Sequence, residues 1–107
     1  MAIGRESLFT LTHYEYGEAY FGSYRGMRYR VAREPFVDVH FLQGEARQEA
    51  DASARLTATV WPEPFSYANT APELMSRREF EFSEEGMESL AAWMNSEYEA
   101  RLKDWNR

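Results

Sequence analysis

Apolar and polar residues alternate along much of the chain before residue 83, a pattern that predicts β-strands. Met27, Tyr29 and Val31 alternate with residues that include two arginines, so one face of this strand is apolar and the other is basic. The β-prone stretch 19–24 precedes it, and Gly26 between the two can adopt the positive φ of a tight turn. Together these stretches predict a β-hairpin.

Three later segments predict further strands. Residues 36–42 alternate after a proline, and residues 56–60 alternate before two prolines that end the strand at Trp61. Residues 78–82 place phenylalanines on one side and glutamates on the other. We expect a loop between Trp61 and about residue 77.

The period changes at Ser83, a predicted helix N-cap followed by acidic residues that suit the positive end of a helix dipole. Apolar residues then recur at spacings of three, four and seven, which define one helical stripe. The stripe consists of Met87, Leu90, Ala91, Met94, Tyr98, Leu102 and Trp105. We therefore expect an α+β fold, an antiparallel sheet of four or five strands with one C-terminal helix packed across it.

A chain of 107 residues predicts a single domain, residues 1–107, and its 44% hydrophobic content is enough for a core. The longest apolar run, residues 90–94, is too short to span a membrane, and the first ten residues lack the pattern of a signal peptide. The absence of cysteine excludes disulfides and thiolate metal sites, which favours a cytoplasmic protein. The net charge of −6 argues against general affinity for nucleic acid.

Charge is segregated along the chain into two candidate contact surfaces. Residues 25–33 hold four arginines and no acid, whereas residues 79–99 hold seven glutamates and no base. We call the first surface the basic strand: Tyr24, Arg25, Arg28, Tyr29, Arg30 and Arg33. We call the second the acidic corner: Glu79, Glu81, Glu84, Glu85 and Glu88.

Each surface has a functional and a structural interpretation. The arginines of the basic strand can clamp carboxylates or phosphates, with Tyr20, Tyr24 and Tyr29 available for stacking. Alternatively they pair with Glu79 and Glu81 across an exposed sheet face, the interpretation that we favour. The acidic corner can engage a basic groove on a partner, but it also fits a solvated surface beside an acid-favouring helix start.

No motif specifies a reaction. The chain has neither the Gly-x-Ser-x-Gly sequence of a serine nucleophile nor a glycine cluster that would cradle a phosphate. His13 and His40 are the only imidazoles, and Asp38 lies where its carboxylate could orient the ring of His40. Spacing without further ligands is weak support for a site, so we predict no enzyme, catalytic residue, metal site or cofactor.

The segments GSYRGMRYRVARE, TVWPEPFSYANTAPE and EFEFSEEGMESLAAWMNSEYE resemble short, poorly characterised proteins carried by integrative elements and phages of Gram-positive and gut bacteria. The resemblance covers most of the chain after residue 14. It implies a small accessory protein. By analogy of setting and size, it also suggests an inhibitor that blocks a host defence nuclease, as anti-CRISPR proteins do.

These observations predict a non-enzymatic protein that binds a basic surface on a CRISPR nuclease or another nucleic-acid enzyme. The acidic corner would make the contact, joined by the loop residues Trp61, Phe65 and Tyr67. The alternative is a module that binds single-stranded nucleic acid through the arginines and tyrosines of the basic strand. A third hypothesis is a hydrolase or acetyltransferase-like enzyme centred on His40. The oligomeric state is left open.

Overall fold

The computed structural model describes residues 3–5, 8, 10–63 and 65–105. The strands are β1 (Tyr20–Tyr24), β2 (Met27–Glu34), β3 (Arg55–Pro62) and β4 (Ser76–Glu81), and the helices are α1 (Leu11–Glu15), α2 (Gly44–Ala52), α3 (Glu84–Ala100) and α4 (Leu102–Trp105). Short 3₁₀ helices span Val39–Phe41, Tyr67–Asn69 and Pro72–Leu74. The strands form one antiparallel sheet in the order β1-β2-β3-β4, and α3 packs on it. The predicted α+β architecture is confirmed.

The hairpin between β1 and β2 is closed by Arg25 and Gly26, whose φ angles are 45° and 92°. Positive φ at both central residues is the signature of a type I′ turn, which matches the twist of the flanking strands. A side chain at Gly26 would also overlap the carbonyl oxygen of Trp105. The turn therefore requires glycine both for its φ angle and for the close approach of α4.

Helix α3 begins as the sequence predicts. The hydroxyl oxygen of Ser83 accepts a hydrogen bond from the backbone N–H of Gly86 at 3.0 Å, and two glutamates occupy the first turn. The apolar stripe is buried against the sheet from Met87 to Tyr98. The helix ends at Ala100, and the turn at Arg101 shifts the phase of the stripe. As a result Leu102 is 42% exposed, contrary to prediction, whereas Trp105 is buried.

The sheet has two unlike faces. The face toward α3 is the core, built from apolar residues of β2, β3 and α3, among them Met27, Val31, Leu56 and Leu90. We call the opposite side the outer face. Register places Phe21, Arg30, Thr59 and Arg77 in one row across it, and Ser23, Arg28 and Trp61 in the next. Residues 65–68 lie over part of this face.

The prediction of a strand over residues 36–42 is wrong. Residues 39–41 form a 3₁₀ turn because the carboxylate of Asp38 accepts a hydrogen bond from the backbone N–H of His40 at 2.9 Å. Such local side-chain bonds compete with strand pairing, and only an isolated bridge joins Asp38 to Tyr16. Phe41, which lies on the apolar side of that alternation, is 86% exposed.

Helix α2 has no counterpart in the sequence predictions. Its only buried residue is Ala50, so it shows no apolar stripe that periodicity could detect. Among the described residues, no helix combines the length and the apolar character that a membrane span needs.

Candidate binding site on the outer face

The structure divides the basic strand between the two sides of the sheet. Tyr29 is buried in the core, and the ring of Tyr24 packs edge-to-face on Tyr98 with centroids 5.0 Å apart. Burial raises the pKa of Tyr29 to about 12, with a further contribution from the neighbouring Tyr20. Arg25 is exposed at the turn, with its guanidinium over the ring of Tyr24. The tyrosines therefore do not share the face that carries Arg28 and Arg30.

Arg33 is a structural residue, with a side chain that is only 1% exposed. Its guanidinium donates hydrogen bonds to the carbonyl oxygens of Ala50 at 2.9 Å and of Pro35 at 3.0 Å, and it lies 3.6 Å from a carboxylate oxygen of Asp51. The Ala50 carbonyl is in the last turn of α2, where a positive charge complements the helix dipole. Burial lowers the pKa of Arg33, and Asp51 opposes that shift. Arg33 thus fastens α2 to β2.

The predicted pairing of the basic strand with Glu79 and Glu81 is wrong. Strand β3 lies between β2 and β4, so these glutamates face residues of β3. The Arg30 guanidinium instead lies over aromatic rings, with distances to the centroid of 4.9 Å for Tyr67, 5.1 Å for Phe36 and 5.9 Å for Phe21. Arginine is attracted to the negative faces of such rings. We call this group the Arg30 cluster.

A groove of about 440 Å³ continues from the Arg30 cluster along β1 and β2. Its lining residues are Phe21, Gly22, Arg28, Tyr29, Trp61, Ser66, Tyr67 and Ala68, and none of them is acidic. Arg28 also borders a second depression beside Ser23. The Nε atom of Arg28 is buried and has no hydrogen-bond acceptor among the described residues. The groove is thus aromatic, with one guanidinium on its floor.

The loop residues expected at a contact surface have different environments. Trp61 is buried, and its indole N–H donates to the carbonyl oxygen of Phe65 at 2.8 Å. Tyr67 packs on Trp61, and its hydroxyl accepts a hydrogen bond from Arg77 at 2.8 Å. Phe65 is 39% exposed. Tyr67 is therefore a fixed wall of the groove, and Phe65 presents its ring at the surface.

The acidic corner is partly neutralised by the fold. Arg5 binds Glu84 through two hydrogen bonds of 2.8 Å, which lowers the pKa of Glu84 and raises that of Arg5. Glu81 lies opposite Arg55 in the register of β3 and β4. Glu79, Glu85 and Glu88 are exposed carboxylates. The five glutamates thus form a weaker negative surface than their number in the sequence indicates.

The ring of His40 has a different neighbour from the one predicted. Its Nε2 atom lies 3.4 Å from a carboxylate oxygen of Glu15, and Tyr16 stacks on it with centroids 4.3 Å apart. Asp38 binds the backbone of His40 and does not orient the ring as predicted. Within the described residues, no group of three or more histidine, aspartate or glutamate side chains could hold a metal ion.

The structure adds Phe21 and Phe36 to the residues considered from the sequence. Phe21 is 55% exposed on β1, and Phe36 is 48% exposed beyond the end of β2. The sequence could have indicated that Phe21 belongs to this surface. Once the register of the hairpin is fixed, Phe21 is paired with Arg30, and paired residues lie on the same face of the sheet. Comparisons with protein-family models, curated proteins and solved structures found no match to this chain. The function of this chain is therefore to be inferred from the chemistry of this surface.

Proposed function

We propose that this protein is a non-enzymatic interaction protein that binds a partner protein through the outer face of its sheet. The observation that carries the proposal is the Arg30 cluster, in which an arginine lies among three aromatic rings and two of these rings are about half exposed. Aromatic residues and arginine are enriched at the centres of protein interfaces, whereas lysine and glutamate are depleted there.

The surface is also organised before any partner arrives. Tyr67 is held by Trp61 beneath it and by Arg77 at its hydroxyl, and Arg30 is held by the rings around it. Side chains that are already fixed lose little conformational entropy when a partner binds. This rigidity supports recognition of a protein surface.

The chemistry of the face favours a partner segment with apolar and acidic groups. Arg28 and Arg30 supply positive charge, and the residues that line the groove include no carboxylate. The net charge of −6 repels an acidic partner at long range, but charges beyond about 8 Å are screened at physiological ionic strength. The attraction is therefore local. A nucleic-acid enzyme, the kind of partner that the analogy with anti-CRISPR proteins suggests, fits this proposal when it presents such a segment.

Single-stranded nucleic acid is the second candidate ligand. The exposed ring of Phe21 beside Arg28 and Arg30 could stack a base while the arginines contact phosphates. Two observations favour a protein partner: the net negative charge, and the position of Tyr24 and Tyr29 on the core side of the sheet.

Site-specific photo-crosslinking in cells of the source organism distinguishes these proposals. A photoreactive residue is placed at Phe21 on the outer face, at Glu88 in the acidic corner, and at the exposed Gln48 of α2 as a control. We expect a discrete protein adduct from position 21 and none from position 48. An adduct with nucleic acid from position 21 would establish the second candidate. Protein adducts from position 88 alone, or none from position 21, would refute the outer-face proposal.

A further inference from the structure

Strand β1 forms one edge of the sheet. It pairs with β2 on one side, and no strand in the described part of the chain pairs with its other side. In a type I′ hairpin the residues that flank the turn exchange hydrogen bonds, and bonded and non-bonded pairs alternate from there. With Tyr24 opposite Met27 at the turn, Phe21 and Ser23 direct their backbone N–H and C=O groups to the outer edge. The outer edge of β1 therefore presents backbone donors and acceptors with which another strand can form hydrogen bonds.

The edge lacks the features that usually protect one. Natural edge strands carry lysine, proline or bulges that prevent pairing with another chain. Strand β1 reads YFGSY, without a charge or a proline, and its pairing with β2 has no bulge. An extended segment can therefore dock along it by strand addition.

We propose that β1 binds an extended acidic segment of the partner protein as a fifth strand, with an acidic side chain of that segment directed to Arg28. The inference rests on the proposed function, because it assigns the binding mode and the ligand chemistry of the same outer face. It extends the sheet beside β1, whose residues Phe21 and Gly22 line the groove.

Charge and geometry select an acidic side chain. A residue paired with Ser23 on the added strand has its side chain on the outer face, two strand spacings or about 10 Å from the backbone of Arg28. Two long side chains together span this distance, and the small Gly22 and Ser23 leave the path open. Arg28 is partly exposed, and none of the described residues accepts a hydrogen bond from its Nε, so a carboxylate at this guanidinium would not compete with an acceptor of this chain for that donor. A lysine at that position would be repelled.

A phage-displayed library of random twelve-residue linear peptides, selected on the whole protein, tests the ligand chemistry. We expect enriched peptides with β-branched or aromatic residues, and with aspartate or glutamate at one alternating position. Selection that recovers no peptide, or peptides without acidic enrichment, would overturn the inference. An oligodeoxythymidine of twelve nucleotides that displaces the selected peptide at low salt would assign the face to nucleic acid and overturn it as well.

The binding mode is tested with the selected peptide and two variants that differ in one backbone donor. Ser23→Pro removes the outward backbone N–H of residue 23 without removing a hydrogen bond to β2. Ser23→Ala keeps this N–H. We expect the proline variant to bind about tenfold more weakly than the alanine variant. Hydrogen exchange provides a direct readout, because the amides of Phe21 and Ser23 should become protected only when peptide is bound.

Methylation of single backbone nitrogens in the peptide repeats this test on the unaltered protein. We expect loss of binding at alternate positions only, which keeps the inference testable if Ser23→Pro does not fold. Peptide binding without protection of the two amides, or with equal affinity for the two variants, would refute strand addition. Those results would leave the crosslink at position 21 intact, so failure here is distinct from failure of the proposed function. A stable dimer of the free protein that the peptide does not dissociate would assign the edge to a second copy and also refute the inference.

Discussion

Replacing Arg33 with alanine tests whether this arginine of the basic strand supports the fold or binds a ligand. Counting by twos from Tyr29 places Arg33 on the core side of β2, and its side chain is only 1% exposed. The guanidinium donates to the carbonyls of Ala50 and Pro35, so the truncation removes two hydrogen bonds and the packing of the arginine stem.

The size of the effect follows from the groups that lose their donor. A buried polar group left unsatisfied costs about 1 to 3 kcal/mol. The hydroxyl of Ser53 lies 3.5 Å from the Ala50 carbonyl, too far to replace the lost bond well. Against this, the variant no longer buries a charge, whose desolvation lowers the pKa of Arg33. We expect a net loss of about 3 kcal/mol in the free energy of unfolding, or roughly 15 °C in Tm for a domain of this size.

Urea denaturation followed by circular dichroism measures this loss. Arg47→Ala is the matched control, because Arg47 contacts the same Asp51 but is 38% exposed. An exposed ion pair of this kind contributes about 0.5 kcal/mol, and Arg47 also donates a hydrogen bond of 3.2 Å to the carbonyl oxygen of Val39, which contributes about 1 kcal/mol. We therefore expect the control to lose about 1.5 kcal/mol, half the loss of Arg33→Ala. The selected peptide should bind the folded fraction of Arg33→Ala with unchanged affinity. A loss of stability no larger than that of the control, or loss of binding by the folded protein, would refute the structural role.

Three further predictions concern other parts of the fold. Gly86→Ala should lower the free energy of unfolding by about 2 kcal/mol in urea denaturation, because the added Cβ would overlap the carbonyl oxygen of Glu81. Alanine usually stabilises a helix relative to glycine, so a gain in stability would contradict this close contact. The ion pair with Arg5 lowers the pKa of Glu84, so the stabilisation from this pair is present above the ordinary carboxyl pKa and disappears as pH falls through the pKa of Glu84 in the folded state. The Tm of Glu84→Gln should therefore lie below that of the parent protein at neutral pH and converge with it in acid. Equal Tm values at neutral pH would contradict this prediction. Because the pKa of Tyr29 is about 12 in the folded state, the free energy of unfolding should decrease as pH rises from about 10 toward 12. Tyr29→Phe should reduce this dependence on pH, measured by urea titration at each pH. The same dependence on pH in both proteins would show that folding does not raise the pKa of the phenol.

The sequence is most informative where one periodicity extends over many residues. The arginine and apolar alternation of β2 fixes a strand, and the stripe that begins at Met87 fixes α3, because each pattern buries a continuous face. The cap at Ser83 was equally predictable, because a serine before two glutamates satisfies free N–H groups at the helix start. Local chemistry and burial agree at these positions.

Prediction fails where short-range bonds or distant contacts decide the structure. At residues 36–42 the alternation is real, but a single carboxylate, that of Asp38, turns the backbone into a 3₁₀ helix. Helix α2 is joined to β2 by the hydrogen bond from Arg33 to Ala50, a contact between positions 17 residues apart that no periodicity reports. The same parity that makes Tyr29 a core residue applies to Arg33, so its orientation was predictable whereas its partner was not.

The candidate site depended on strand order, which the sequence alone does not determine. Placing β3 between β2 and β4 separates the arginines from Glu79 and Glu81. It also leaves Arg30 to be surrounded by rings from β1, from the segment after β2 and from the 3₁₀ helix after β3. Three segments far apart in sequence thus form one surface, which only the register of the sheet reveals.

The exposed rings of this surface are not required for packing. Neither Phe21 nor Phe36 belongs to the apolar core, which is closed by α3 on the opposite face of the sheet. Complete burial of a phenylalanine side chain contributes about 1.5 to 3 kcal/mol, so covering the exposed halves of both rings would contribute about 2 kcal/mol to a complex. That is more than a tenfold gain in affinity, whereas the contacts of the two rings with Arg30 contribute about 0.5 to 1 kcal/mol each at an exposed site. The exposed halves of the rings therefore contribute only when a partner covers them, which is the energetic pattern of an interface centre.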